Sequence, residues 1–130
     1  MIQVLVDADN VDEVRVAALL AALPGTARVV AAGHPEALGA VDWPPQSELL
    51  EARGWQRADL ALAAAYRPSD DPLLLVSGDG DFAHLVSRHT GPVLVISEAA
   101  SHQIRRHASV HDPAVDDPAD LRRWLDAVLG

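Results

Sequence analysis

The chain predicts an α/β domain, with a central, mainly parallel sheet of four or five strands flanked by helices. Three observations point there. Apolar runs at residues 2–7, 27–32, 73–76 and 93–96 alternate with stretches of helical character, the pattern of a parallel sheet with right-handed crossovers. Within them Val4–Val6, Val29–Ala32, Leu73–Val76 and Val93–Ile96 are continuously apolar rather than alternating, as strands buried on both faces are. At 130 residues and 49% hydrophobic content, the chain supplies a single domain, residues 1–130, with a core of its own.

Each element follows from local signals. Residues 2–7 read as the first strand. Val11 to Leu23 reads as an amphipathic helix, in which Val14, Ala17, Ala18, Leu20 and Ala21 interleave with Asp12, Glu13 and Arg15. Asn10 is placed to cap it, and Pro24-Gly25 to stop it. Ala27 to Ala32 is a second strand, ended by Gly33. From His34 to Pro45 the Pro and Gly content predicts a loop with about one helical turn. Gln46 to Arg53 reads as helix with Gly54 as its stop, and Arg57 to Tyr66 as an Ala-rich helix ended by Pro68. Leu73 to Val76 is the third strand, Asp81 to His89 a helix, and Val93 to Ile96 the fourth strand. Ser101 caps a short helix through His107. An acidic loop then leads to a closing helix over residues 118–129. There is no internal repeat and no low-complexity tract.

Two acidic motifs stand at strand ends. Ile2-Gln3-Val4-Leu5-Val6 runs into Asp7-Ala8-Asp9-Asn10, and Leu73-Leu74-Leu75-Val76 into Ser77-Gly78-Asp79-Gly80-Asp81-Phe82. In an open parallel sheet, ligands sit outside the carboxyl ends of the strands. Carboxylates gathered there repel unless a cation or protons intervene. A hard divalent ion, Mg²⁺ or Mn²⁺, held by oxygen ligands is the simplest account. Taken singly, each motif also reads as a plain turn: an Asx cap after the first strand, and Asp79 or Asp81 capping the next helix. Asp59, at the start of an otherwise apolar helix, is a third component; alone it reads as a helix-start residue. Ser77 is placed to donate to a carboxylate or to bind phosphate.

Composition narrows the chemistry. With no Cys there is no disulfide, thiolate nucleophile or zinc–thiolate site, a pattern that fits a cytoplasmic protein. All ten basic residues are Arg, which excludes Schiff-base and Walker-lysine mechanisms. The net charge of −9 weighs against broad nonspecific nucleic-acid binding, so any nucleic-acid surface must be a local Arg/His patch. No apolar stretch is long enough to span a membrane.

At these residues the chain resembles a known family. Val-Asp-Ala-Asp-Asn at 6–10, Ala-Asp-Leu-Ala-Leu at 58–62 and Val-Ser-Gly-Asp-Gly-Asp-Phe at 76–82 resemble the NYN domain, a branch of the PIN-like nuclease superfamily. The match in order and spacing covers residues 2–112. It implies a three-layer, Rossmann-like fold and Mg²⁺- or Mn²⁺-dependent cleavage of phosphodiester bonds, usually in RNA, as an (endo)ribonuclease. By motif match, Asp7, Asp59, Asp79 and Asp81 are the acidic catalytic set. Asp7, Asp79 and Asp81 are the metal ligands, and Asn10 and Ser77 are polar partners of the substrate. Asp9 ranks below Asp7. Arg105 and Arg106, with His102 and His107, form the most concentrated basic group after the fourth strand and are candidates for the substrate backbone; a plain solvated helix face is the alternative. His34, His84 and His89 carry no spacing signal. Trp43 and Trp55 are stacking candidates or core anchors.

The chain departs from the family pattern. Gln56 and Arg57 stand where relatives often carry Lys, and Ala63, Ala64 and Ala65 where many have a further Asp. Ala108-Ser109 replaces a late Ala-Asp. The compact middle predicts that a strand is missing between His34 and Trp55. Two other readings stay open. A non-catalytic RNA- or protein-binding PIN-like domain fits the reduced acidic set. A haloacid-dehalogenase-type phosphatase would use Asp7 as nucleophile, but Asn10-Val11 and the close spacing of Asp79 and Asp81 argue against it, as does the absence of Lys. An RNA substrate is the partner expected; a homodimer or a regulatory protein partner is left open.

Overall fold

The computed structural model describes residues 1–54 and 57–130. Among them a single parallel sheet carries six strands: β1 (Gln3–Asp7), β2 (Arg28–Gly33), β3 (Glu48–Glu51), β4 (Leu73–Val76), β5 (Val93–Ile96) and β6 (Ser109–His111), in the order β3-β2-β1-β4-β5-β6. The helices are α1 (Glu13–Ala22), α2 (Pro35–Gly39), α3 (Arg57–Ala65), α4 (Ala83–Arg88), α5 (His102–His107) and α6 (Pro118–Leu129). The result is a three-layer α/β domain.

Strand alternation divides the core in two. Val4 and Val6 of β1, with Val29 and Ala31 of β2, face Val16 and Leu19 of α1, Leu38 of α2 and Leu125 of α6. Leu5 and Val30 face the other way, toward Leu62 of α3, Val86 of α4 and Ile104 of α5. All five residues of β1 are buried, as a central strand covered on both faces must be. The register Val6↔Ala31 and Val6↔Val76 sets β1 between β2 and β4. That is where the strand order reverses direction, the place where ligands collect in such sheets.

Three expectations are corrected. The sheet has six strands, not four or five. The segment Gln46 to Arg53 is not helical: it contains β3, so the strand expected to be missing before Trp55 is present. β3 pairs with β2 through Ala31↔Leu49 and Ala32↔Leu50, and three of its four residues are exposed. An edge strand with so little burial carries no apolar pattern. The helix-forming Glu-Leu-Leu-Glu composition is overridden by the ladder that β2 offers. Gly54, at φ +111°, supplies the left-handed turn that ends this segment. β6 is three residues long and equally silent in sequence. Finally, α1 is capped by Asp12, whose side chain accepts from the Val14 amide at 2.8 Å; Asn10 is turned elsewhere. Val14, Ala17, Ala18 and Ala21 of α1 lie outward, and Val16 and Leu19 inward.

Candidate metal centre

β1 ends on Asp7, which is completely buried. A 3-10 turn, Ala8–Asn10, folds the chain back so that Asn10 Nδ2 donates to Asp7 Oδ2 at 2.9 Å. Ser77 Oγ, from the end of β4, donates to the same oxygen at 3.3 Å. Asp7 Oδ1 is buried without a hydrogen-bond partner. Burial raises the pKa of Asp7, and the bonds from Asn10 and Ser77 partly offset this.

After β4 the loop is shaped by its own side chains. Ser77 Oγ accepts from the Asp79 amide at 3.2 Å, and Asp79 Oδ1 accepts from the Asp81 amide at 2.9 Å, opening the 3-10 turn Gly80–Phe82. Asp79 thus caps this turn, as its motif allowed, while its second oxygen stays free of that bond. A Cβ on Gly78 would fall 2.3 Å from Ser97 Oγ and 2.8 Å from the Ala99 carbonyl oxygen. Glycine is required there because the loop is pressed onto the segment after β5, where the Ser101 amide donates to the Gly78 carbonyl at 3.1 Å.

Asp59 enters from the first turn of α3 and is buried. One carboxylate oxygen each from Asp59, Asp79 and Asp81 lies within 4.8 Å of the others. Asp59 Oδ2 is buried and unpartnered. Burial is the largest cause raising its pKa, followed by the close carboxyl of Asp79 and the charges of Asp7 and Asp81; together they push it to about 7. Two buried carboxylate oxygens without partners, beside a set of hard oxygen donors, fit a Mg²⁺- or Mn²⁺-type ion.

The four acidic residues singled out from sequence therefore converge, with one change of emphasis. Asp59 joins Asp79 and Asp81 in the tightest group, and Asp7 stands alongside, its charge acting on Asp59. Asp9 belongs to another contact. It accepts from the His34 amide at 2.8 Å and meets His34 Nδ1 at 3.0 Å, tying the end of β1 to the end of β2. A Cβ on Gly33 would lie 2.9 Å from Asp9 Oδ1, so Gly33 makes room for this tie. No spacing rule would have found it.

Arg105 and Arg106 are exposed on α5, with His102 and His107. α5 packs against α4 and the Gly80–Phe82 turn, so this basic helix flanks the loop that carries Asp79 and Asp81. Gln103 of the same helix reaches Gly80, whose Cβ would lie 2.7 Å from its Oε1; nothing in the sequence marked that residue. His84 is exposed. His89 is buried, with Nδ1 2.7 Å from Tyr66 Oη and Nε2 2.6 Å from the Asp71 carbonyl oxygen. It is a satisfied structural histidine. Trp43 anchors the core, donating from Nε1 to the Leu38 carbonyl at 2.8 Å. Trp55 and Gln56 lie outside the described residues.

On the α1 side of the crevice is a cleft of about 550 Å³. Its floor includes Val76 and Ile96 at the ends of β4 and β5, and its walls are α1 and α6. Asn10, Ser77 and Gly78 line it as well.

The fold resembles the crystal structure of a Vibrio parahaemolyticus protein of unknown function, VPA0982, with a TM-score of 0.55 and 23% identity, covering 86% of this chain and 93% of that one. The likeness concerns the fold. No protein-family model matches the chain, and no curated protein matches it. Among the described residues, no helix is long and apolar enough to cross a membrane.

Proposed function

We propose that the protein is a divalent-cation-dependent ribonuclease of the NYN type. The observation that carries this reading is the meeting of Asp59, Asp79 and Asp81 within 4.8 Å, beside the buried Asp7 at the end of the neighbouring strand. Structural carboxylates are normally paired with donors or kept apart. These come from three separate stretches of chain, and two of their buried oxygens have no partner.

Asp59, Asp79 and Asp81 would hold the ion, with Asp7 completing the acidic wall. When bound, a Mg²⁺ or Mn²⁺ ion supplies Lewis acidity toward a phosphodiester and lowers the pKa of its water. The chain's own residues have the remaining tasks. Asn10 and Ser77 hold Asp7 in one orientation through Oδ2. Asp59, whose carboxyl is pushed up to about 7 by burial and the neighbouring carboxylates, must give up its proton for a cation to bind. Arg105 and Arg106, on the helix beside the Asp81 turn, would meet the substrate backbone. No covalent intermediate is required.

Calorimetry with Mn²⁺, paired with cleavage of a labelled RNA, tests the reading. The parent protein binds Mn²⁺ and cleaves; Asp79→Asn does neither while keeping its circular dichroism spectrum. A parent that binds no Mn²⁺ would overturn it. One observation favours a second reading, a PIN-like domain that binds RNA or protein without cutting: beyond Asp59, α3 offers Ala63, Ala64 and Ala65 rather than another carboxylate. Mn²⁺ binding without cleavage of any RNA or DNA would favour it.

A further inference from the structure

The α1–α6 cleft is not used by the chemistry above, yet it shares a wall with it. Gly78 lines the cleft, and the adjoining Asp79 belongs to the acidic group. Asn10 and Ser77 also line the cleft, and both donate to Asp7 Oδ2. A group seated in the cleft therefore touches the residues that orient Asp7.

The chemistry of the lining selects the occupant. The floor is aliphatic, formed by Val16, Leu19, Val76 and Ile96. The rim carries two acids, Asp12 and Glu98, and two arginines, Arg15 and Arg122. Arg15 pairs with Asp12, one turn away at the start of the same helix, and with Glu98 from the segment after β5. The rim is thus charge-balanced, and calls for neither a free anion nor a free cation. A flat, uncharged body with a hydrogen-bonding edge suits such a site. The volume of about 550 Å³ lies within the range of small-molecule sites.

We propose that this cleft receives one nucleobase of the strand being cut, its ring against the Val16–Ile96 floor and its polar edge toward Ser97, Glu98 and Arg122. This rests on the nuclease reading, and assigns that site a base-recognition pocket. The loop Ser77–Asp79 is the partition between base and acidic centre. Base contacts in the cleft, rather than the backbone contacts of α5, then set sequence preference.

The test titrates the full chain with each of the four nucleoside 5′-monophosphates in chelator, followed by NMR, with ribose 5-phosphate as the baseless control. Ala18 is exposed on the α1 wall of the cleft, so Ala18→Phe fills the space from its edge; Ala22→Leu is a second filling variant on the same wall. At least one nucleotide is expected to bind saturably, with shifts at Ser97 and Arg122. Ribose 5-phosphate produces none of these shifts. Either folded filling variant weakens binding at least tenfold, whereas Arg88→Ala, at an exposed position of α4 outside the cleft, binds as the parent does. No saturable binding at millimolar nucleotide, equal binding of ribose 5-phosphate, or undiminished binding by a folded filling variant overturns the proposal. Because the titration needs no cation, it separates from the Mn²⁺ test: a parent that binds Mn²⁺ and cleaves RNA but takes no nucleotide loses the cleft alone.

Discussion

At the scale of single residues, the acidic centre is a concentration of like charge that the folded chain must tolerate. Removing one charge should therefore abolish function and spare the fold. Asp7→Asn and Asp79→Asn are expected to eliminate cleavage and, in chelator, to melt at or above the temperature of the parent; a drop in both melting temperatures would argue that the carboxylates are stabilising and not mutually repelling. Gly78→Ala should behave in the opposite way. Its Cβ meets a backbone carbonyl and a side-chain oxygen at distances no real contact shows, so the loop must shift, at a cost of about 1–3 kcal/mol by analogy with overpacked sites. Urea melts would read that loss, and calorimetry would read a weakened Mn²⁺ affinity. The placement of the carboxylates was largely legible in the sequence, because Asp7, Asp79 and Asp81 follow apolar runs whose burial is unambiguous. Asp59 was harder to place. A carboxylate on the first turn of a helix has an ordinary explanation, and only the packing of α3 over β1 and β2 brings it to the others.

At the scale of elements, the strands buried on both faces announced themselves and the edges did not. β4 and β5 are apolar throughout, and β1 carries Val4-Leu5-Val6 at its centre, which leaves them nowhere else to go. β3 and β6 lie at the two edges; each has one neighbour, β3 is largely exposed and β6 is only three residues long, so their conformation is decided by hydrogen bonds to that neighbour rather than by any pattern of their own. The start of α1 shows the same limit. Asn10 and Asp12 are both good capping residues, and the choice between them depends on a long-range fact, namely that Asp7 attracts the Asn10 amide. The two roles can be separated. Asp12→Ala should cost about 1 kcal/mol of stability and leave Mn²⁺ affinity unchanged. Asn10→Ala should weaken cleavage by freeing Asp7 to turn, with α1 intact by circular dichroism. If the two variants exchanged effects, the assignment of cap and orienter would be reversed.

At the scale of the whole molecule, the buried carboxyls couple stability to pH. Asp59 has an ordinary value of 3.8 and a folded value of about 7. Between these the folded chain holds a proton that the unfolded chain has released, so stability falls as pH rises through that window. Asp7, also raised, acts in the same direction. In chelator, the melting temperature of the parent relative to Asp59→Asn should decline from about pH 4 to pH 7. Saturating Mn²⁺ should oppose the decline by binding the deprotonated, folded form. A difference that does not vary with pH would mean that Asp59 is not held in a charge-repelling setting. The sheet order has one more consequence. β3, β2 and β1 come from the first part of the chain, and β4, β5 and β6 from the second, so the molecule is two consecutive segments zipped together along the β1–β4 ladder. Asp7 and Asp59 ride on one segment, Asp79 and Asp81 on the other. A cut in the exposed turn at Asp70-Asp71 would yield two fragments, neither able to assemble the carboxylate cluster by itself, and any regained turnover on mixing them would report the closing of that zipper directly.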